Sequence, residues 1–88
     1  MIRKTIVVKN KLGLHARPCS MLVKEVSIYQ SQIKIIKDDM EVNGKSIMGV
    51  MMLAAEQGSE LEFVVDGADE DIVITKIIEL FDQKFGEE

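Results

Sequence analysis

The spacing of apolar residues changes several times along the chain, and each change predicts a new secondary-structure element. The β-branched residues of segment 2–8 predict a strand that ends in a loop near Gly13. From Pro18 onward, apolar residues recur every three or four positions, which predicts an amphipathic helix over roughly residues 17–28. Because proline is favoured at the first helical position, this helix should begin just after His15 and Arg17.

The middle of the chain predicts a hairpin followed by a short helix. Two apolar-rich runs, 33–37 and 40–42, flank Asp38 and Asp39, a residue type that favours turns. Segment 46–55 opens with a serine, which is a good N-cap residue, and stops before a glycine, as a short helix does.

The last third of the chain predicts one more strand and one more helix. Residues 60–65 alternate and then run apolar, which is typical of a half-buried strand. Acidic residues at 69–71 lie where the first turn of a helix favours negative charge. The resulting order, βαββαβα, predicts an α+β fold with one antiparallel sheet and the helices packed on one face. The core stripe of the last helix should contain Val73, Ile77, Leu80, Phe81 and Phe85.

Length and composition limit the kinds of protein that this chain can be. With 88 residues, 47% of them hydrophobic and 30% charged, we expect a single globular domain over residues 1–88. The net charge of -4, from 11 basic and 15 acidic residues, argues against general nucleic-acid binding. The single cysteine, Cys19, excludes an internal disulfide and favours a reducing cytoplasm. The longest apolar run, 47–55, is well short of the roughly 20 residues that a membrane span needs, so we expect no membrane insertion.

The only histidine, His15, lies in the loop between the first strand and the first helix. Neither Ala16 nor Arg17 carries the side-chain oxygen that normally caps a helix, so the first backbone amides remain available to an anion. A phosphate bound there would meet these amides and the guanidinium of Arg17. The positive helix end also favours the neutral imidazole, and only a neutral ring nitrogen can attack phosphorus. The pattern therefore fits phosphohistidine chemistry.

Other interpretations of these motifs explain less. A lone surface histidine is the commonest case in general, but it leaves the adjacent arginine and the uncapped helix start unexplained. A metal site would need His-x₃-His or Cys-x₂-Cys spacing, and a serine hydrolase would need a Gly-x-Ser-x-Gly turn; the chain has neither. The triplet Gly44-Lys45-Ser46 is not a phosphate-binding loop, because Asp39 stands where that signature requires a glycine.

Two further features belong to the predicted short helix. Ser46 is expected to be its N-cap, a position at which an added phosphate is tolerated locally, so this serine is a candidate for modification. A short helix cannot bury apolar residues on every side, so we expect part of it to face solvent as a docking patch. Flexible methionines in such a patch suit several partners. The apolar residues of this helix include Ile47, Met48, Val50, Met51, Met52 and Leu53.

Two separate motifs of the chain resemble one known family. The run 10–18, Asn-Lys-Leu-Gly-Leu-His-Ala-Arg-Pro, and the run 43–51, Asn-Gly-Lys-Ser-Ile-Met-Gly-Val-Met, are similar to those of the HPr family. These are histidine-containing phosphocarriers of the bacterial phosphoenolpyruvate-dependent sugar phosphotransferase system. The likeness extends over essentially the whole chain. It implies an open-faced β-sandwich with four antiparallel strands and three helices on one side.

The resemblance also implies roles for individual residues. His15 would accept a phosphoryl group on Nδ1 from the phosphohistidine of enzyme I and pass it to enzyme II A domains, with Arg17 steadying the phosphate. Ser46 would be phosphorylated by a separate ATP-dependent kinase, the HPr kinase/phosphorylase. The docking surface shared by these partners would be formed by Ile47, Met48 and Met51.

Several alternatives stay open. The chain could serve a nitrogen-linked relay or act only in regulation, and a non-covalent protein-binding module would also explain the fold and the methionines. An acyl carrier is disfavoured, because its attachment serine usually lies in Asp-Ser-Leu, whereas Ser46 lies in Lys-Ser-Ile. As a carrier, the protein would be a monomeric co-substrate rather than an independent catalyst, and no metal or organic cofactor is implied. We expect Cys19 to pack inward, and the acidic C-terminal end has the pattern of a solvated tail.

Overall fold

The computed structural model describes residues 1–87 and contains the predicted βαββαβα order of elements. The strands are β1 (Ile2–Val7), β2 (Gln32–Lys37), β3 (Met40–Asn43) and β4 (Glu60–Asp66). The helices are α1 (Ala16–Ser27), α2 (Ile47–Met52) and α3 (Glu70–Asp82), followed by a short left-handed turn at Lys84–Gly86. Among the described residues, none of the helices has the length and apolar character that crossing a bilayer requires.

The four strands form one antiparallel sheet in the order β1-β4-β2-β3. The inner strand β4 pairs with β1 on one side and with β2 on the other, so its backbone groups are bonded along both edges. Alternate residues of β4 point toward the helices, and Leu61, Phe63 and Val65 are completely buried there. Thr5 and Glu62 pair across neighbouring strands on the opposite face. Within residues 1–87 the helices cover one face of the sheet and leave the other open, and the open-faced β-sandwich implied by the resemblance is confirmed.

Helix α1 packs an apolar stripe on this core, as its spacing predicts. The side chain of Cys19 is completely buried, and its Sγ–H donates to the carbonyl oxygen of Leu14 at 3.2 Å. Burial raises the pKa of the Cys19 thiol to about 11, so the sulfur stays protonated at neutral pH. The prediction that Cys19 faces inward is therefore confirmed. The buried residues of α1 are Pro18, Cys19, Leu22, Val23 and Val26.

Two predicted helix boundaries differ from the structure. Helix α1 begins at Ala16, so Pro18 is the third helical residue and not the first. Proline fits this position because the amide that it lacks would have no helical partner there. Helix α2 ends at Met52 rather than at Ala55, because the chain turns at Ala54, which has a φ of 49°.

The core stripe of α3 is confirmed in part. Val73, Ile77 and Phe81 are buried, and Leu80 is half-buried against the core. Phe85 is also buried, but it lies in the left-handed turn beyond the helix and not on the helix itself. The chain therefore changes direction after α3 while it keeps an aromatic side chain in the core.

The carboxylate of Asp69 joins the start of α3 to the turn before β2. It accepts hydrogen bonds from the backbone amide of Gln30 at 2.8 Å, from the amide of Ser31 at 3.0 Å and from the hydroxyl of Ser31. The hydroxyl of Ser31 and then the amide of Gln30 lower the pKa of Asp69 below its ordinary value of 3.8. Asp69 is the N-cap residue of α3, but its side chain bonds these distant groups instead of its own helix.

Replacing Asp69 with asparagine should lower the free energy of unfolding at neutral pH, because the charged acceptor of these hydrogen bonds is lost. Since the folded pKa of Asp69 lies below the unfolded one, its stabilisation is complete above the unfolded value and is lost as pH falls through the folded value. Urea unfolding between pH 7 and pH 2 should therefore give curves for the parent and Asp69→Asn that converge in acid.

Asp71→Asn is the control, because it removes an exposed charge from the same first helical turn. This variant should keep the pH dependence of the parent. Parallel curves for the parent and Asp69→Asn would contradict the role given to the Asp69 carboxylate.

Candidate functional site

The loop between β1 and α1 is held in one shape by hydrogen bonds and by a glycine. Asn10 is completely buried, and its Nδ2 donates to the carbonyl of Gly13 at 2.7 Å. Gly13 has a φ of 67°, and the next amide, that of Leu14, donates to the carbonyl of Ala55 at 2.9 Å. A Cβ at position 13 would lie 2.4 Å from the same Ala55 oxygen, so glycine is required for this approach. The contact fixes where the chain enters α1.

His15 is the N-cap residue of α1. Its carbonyl accepts the first helical hydrogen bond, from the amide of Cys19 at 3.1 Å, and its side chain makes no capping bond. The amides of Ala16 and Arg17 precede that bond, so they point out of the helix start. The side chain of His15 is 38% exposed and that of Arg17 is 54% exposed, so a partner can reach both. The predicted uncapped helix start, with its histidine and arginine, is present.

The C-terminal tail, residues 83–87, folds back onto this helix start. One carboxylate oxygen of Glu87, Oε2, lies 2.7 Å from Nε2 of His15 and 3.0 Å from Nη1 of Arg17. The other oxygen, Oε1, accepts a hydrogen bond from Nδ2 of Asn10 at 3.0 Å. Arg17 Nη1 also donates to the carbonyl of Phe85 at 3.0 Å. The histidine, the arginine and the tail form one hydrogen-bonded cluster, and the prediction of a solvated tail is wrong.

The carboxylate of Glu87 is ionised in this cluster at neutral pH. Burial alone would raise its pKa, but hydrogen bonds from Asn10, His15 and Arg17 outweigh burial and lower the pKa below the ordinary value of 4.5. Only 17% of the Glu87 side chain is exposed, so protein groups supply most of its partners. Among residues 1–87, no group of three or more His, Cys, Asp or Glu side chains is arranged to hold a metal ion.

Phe85 anchors the tail in the core. Its side chain is 1% exposed, and its ring meets that of Phe81 edge-on with the centroids 4.9 Å apart. Between the helix and Glu87 the backbone is left-handed at Lys84, Phe85 and Gly86, with φ values of 55°, 54° and 75°. A left-handed conformation costs about 1–2 kcal/mol for a residue other than glycine, so burial of the ring and the bonds of the carboxylate must offset this strain.

Sequence reasoning identified His15, Ala16 and Arg17 but missed Glu87 and Asn10. One signal for the tail exists in the chain: an aromatic residue followed by glycine shortly after a helix can enter the core while the chain turns. No comparable signal marks Asn10, because its burial depends on how the loop and the tail meet.

Ser46 is the N-cap of α2, as predicted. Its hydroxyl accepts a hydrogen bond from the amide of Gly49 at 3.1 Å, and its own amide donates to the carbonyl of Asn43 at 3.1 Å. Nζ of the neighbouring Lys45 donates to the carbonyl of Tyr29 at 2.7 Å. The lysine of the Gly-Lys-Ser triplet therefore ties the start of α2 to the chain that follows α1.

Helix α2 presents apolar side chains to solvent, as its composition predicts. Val50 is its buried residue, and the others lie on or near the surface. The exposed apolar side chains of α2 form one surface. Because α2 contacts α1, this surface adjoins the helix that begins after His15. We call it the α2 patch; its members and their exposed fractions are Ile47 (41%), Met48 (76%), Met51 (43%) and Met52 (65%).

Comparison with known proteins gives the class and the family. The family model described as "PTS HPr component phosphorylation site" matches residues 2–83. The chain is 49% identical over 88 residues to the phosphocarrier protein HPr of Treponema pallidum, with 100% of both chains covered. It is also similar to the crystal structure of HPr-C-His from Thermoanaerobacter tengcongensis, with a TM-score of 0.95, 45% identity and coverage of 100% and 99% of the two chains. By class this is a phosphocarrier domain of the phosphotransferase system. The chain belongs to the HPr family.

A further similar structure concerns assembly. The crystal structure of an HPr dimer from Thermoanaerobacter tengcongensis has a TM-score of 0.79 and 45% identity, and 99% of this chain and 100% of that chain are covered. A chain of this fold therefore forms a dimer in that crystal, whereas we expect a monomer for the present chain.

Replacing Gly13 with alanine should destabilise the protein by about 2–4 kcal/mol, because the new Cβ meets the Ala55 carbonyl on a left-handed backbone. Gly58→Ala is a matched control. Gly58 has a φ of 90°, but no atom lies within 4 Å of an added Cβ, so we expect only a backbone cost of about 1 kcal/mol. Urea unfolding measures both variants, and the amide shift of His15 shows whether the loop moves. Equal losses would mean that the contact with Ala55 has no effect.

Proposed function

We propose that this protein carries a phosphoryl group on Nδ1 of His15, accepting it from the phosphohistidine of enzyme I and donating it to enzyme II A domains in sugar uptake. The observation that carries the proposal is the position of His15, a partly exposed imidazole at the start of α1, beside Arg17, in a chain of the HPr family. Backbone amides and a guanidinium are the donors that a phosphoryl group binds best.

The transfer is a displacement at phosphorus. The lone pair of Nδ1 forms a new P–N bond while the P–N bond to the donor's ring nitrogen breaks, and that nitrogen keeps the electron pair. Because one P–N bond replaces another, the phosphoryl group stays activated for the next transfer. His15 is then regenerated when a nucleophile of the enzyme II A domain takes the group.

Arg17 has donors for the tail and for a phosphoryl group at the same time. Its Nη1 donates hydrogen bonds to the carbonyl of Phe85 and to the carboxylate of Glu87. Its Nη2 and Nε carry further N–H groups. We assign these donors and the amide of Ala16 to the oxygens of the transferred group, where they would balance the arriving negative charge.

The α2 patch is the docking surface in this proposal. Ile47, Met48 and Met51 expose apolar area next to the helix that begins after His15, and flexible methionine side chains adapt to differently shaped partners. A surface shared by enzyme I and the enzyme II A domains allows only one partner at a time, which suits a carrier that shuttles between them.

Phosphorylation of Ser46 by an HPr kinase/phosphorylase is the regulatory part of the proposal. Phosphoserine carries a charge of about -1.5 to -2. Beside the α2 patch, this charge would have to be desolvated on docking and would repel an acidic partner surface. The fold would be kept, because negative charge at a helix start is favourable.

Three alternative functions account for some or all of these features. A nitrogen-linked relay would use the same fold and the same histidine, whereas a purely regulatory role would use the fold alone. The placement of His15 and Arg17 around one carboxylate at the start of α1 favours a carrier over pure regulation. A non-covalent binding module would explain the α2 patch but not this placement of His15 and Arg17. In our proposal the protein is a cytoplasmic monomer without cofactor or nucleic acid, and its partners charge and discharge it, so it is not an independent catalyst.

Mixing the protein with enzyme I, Mg²⁺ and phosphoenolpyruvate should add the mass of one phosphoryl group, and ³¹P NMR should place it on a ring nitrogen as an acid-labile adduct. His15→Ala should accept none. Arg17→Lys should accept the group about tenfold more slowly, because an ammonium group cannot make paired contacts with phosphate oxygens. An adduct on His15→Ala would place the acceptor elsewhere. No adduct with a competent enzyme I would favour the regulatory alternative.

Ser46→Asp should raise the KM for the carrier in transfer from enzyme I about tenfold, because it puts a charge beside the docking surface. Its melting temperature should stay close to that of the parent, because aspartate also caps helices well. Ser46→Asn is the matched control, since asparagine caps equally well without charge and should leave KM unchanged. If the two variants transfer alike, charge at this position does not control docking.

A further inference from the structure

The hydrogen bond between His15 and Glu87 constrains where the imidazole carries its proton. Nε2 of His15 lies 2.7 Å from Oε2 of Glu87. An ionised carboxylate can only accept hydrogen bonds, so Nε2–H must be the donor. A neutral imidazole carries a single N–H, so its lone pair must then lie on Nδ1.

The geometry points to Glu87 as a positioning residue for phosphoryl transfer: its carboxylate holds His15 in the tautomer with Nε2 protonated and thereby reserves Nδ1 as the nucleophile. The kinetic consequence of this assignment rests on the proposed function. The tautomer itself is a property of the free protein and can be measured without any transfer.

The same contact would compensate the charge that the reaction creates. As Nδ1 forms its bond to phosphorus, the donor's P–N bond breaks with its electron pair on the donor nitrogen, and Nε2 of His15 keeps its proton. The ring of His15 is then a phosphorylated imidazolium with a positive charge. A carboxylate 2.7 Å from Nε2 stabilises this cation, and no proton has to leave during the step.

The tail is built to hold the carboxylate in this place. Asn10 donates to Oε1 of Glu87, and Arg17 donates to Oε2, so each oxygen has a protein donor besides the histidine. The left-handed backbone before Glu87 is kept in place by the buried ring of Phe85. A strained segment next to a reactive group, fixed by a buried anchor, is expected of a positioning element and not of a solvated tail.

Glu87→Gln tests this assignment because it removes the charge at nearly constant shape. In the unphosphorylated parent, ¹⁵N spectra of the His15 ring should show a protonated Nε2 and an unprotonated Nδ1, and the Hε2 proton should be protected from exchange with water. In Glu87→Gln this protection should be lost and the tautomer with Nδ1 protonated should appear. Glu60→Gln makes the same charge change at an exposed position of β4 and should leave the His15 spectrum unchanged.

The second arm of the test measures transfer from phosphorylated enzyme I. The rate at saturating carrier should fall about tenfold in Glu87→Gln, which is the order expected for one charge-assisted hydrogen bond. KM should stay the same, because the α2 patch is intact. Glu87→Asp keeps the carboxylate on a shorter side chain and should recover part of both the rate and the protonated Nε2 signal. Circular dichroism of every variant excludes unfolding as the cause.

Each outcome decides the matter. A parent protein with the proton on Nδ1, or an unchanged tautomer in Glu87→Gln, overturns the assignment. A shifted tautomer with an unchanged rate overturns the part that concerns transfer. If neither the parent nor the variants accept a phosphoryl group, the proposed function of His15 fails, while the ring spectra still decide whether Glu87 fixes the tautomer.

Discussion

The coverage of only one sheet face by helices is the constraint on which the rest of this molecule depends. A chain of 88 residues supplies apolar side chains for a single core, which fills the space between β4 and the helices. Reactive groups therefore lie at the rim, where the chain enters and leaves the helices. The bond from Leu14 to Ala55 draws the start of α1 toward the end of α2. The imidazole and the exposed apolar side chains consequently belong to adjoining helices.

Most of the fold could be predicted because its signals are local. Runs of β-branched residues, helical spacing and turn formers such as Asp38, which adopts a φ of 54°, each act within a few residues. His15 and Arg17 could be found for the same reason, since their neighbours in sequence form the helix start. Glu87 could not, because it meets His15 across 72 positions of chain. The end of α2 was misplaced because a left-handed alanine such as Ala54 has no sequence signal.

The tail and the α2 patch are two places where the surface of this protein differs from an ordinary surface of exposed charges and buried apolar groups. In the tail, a charged group is removed from most of the solvent and given three protein donors, so its orientation no longer depends on water. In the patch, large apolar side chains stay exposed to solvent. The first arrangement gives order to a reactive centre. The second keeps a surface adaptable, because methionine side chains change rotamer at little cost.

The buried thiol of Cys19 gives this molecule a built-in reporter of its own opening. Its thiol donates a hydrogen bond to the carbonyl of Leu14, one residue before the histidine. Because its pKa is raised to about 11, almost no thiolate is present at neutral pH. A thiol reagent can therefore modify the native protein only when the start of α1 separates from the loop. Because the chain has no other cysteine, the labelling rate reads the free energy of that local opening without any engineered probe. Binding of any partner that contacts the start of α1 should slow the labelling of the Cys19 sulfur.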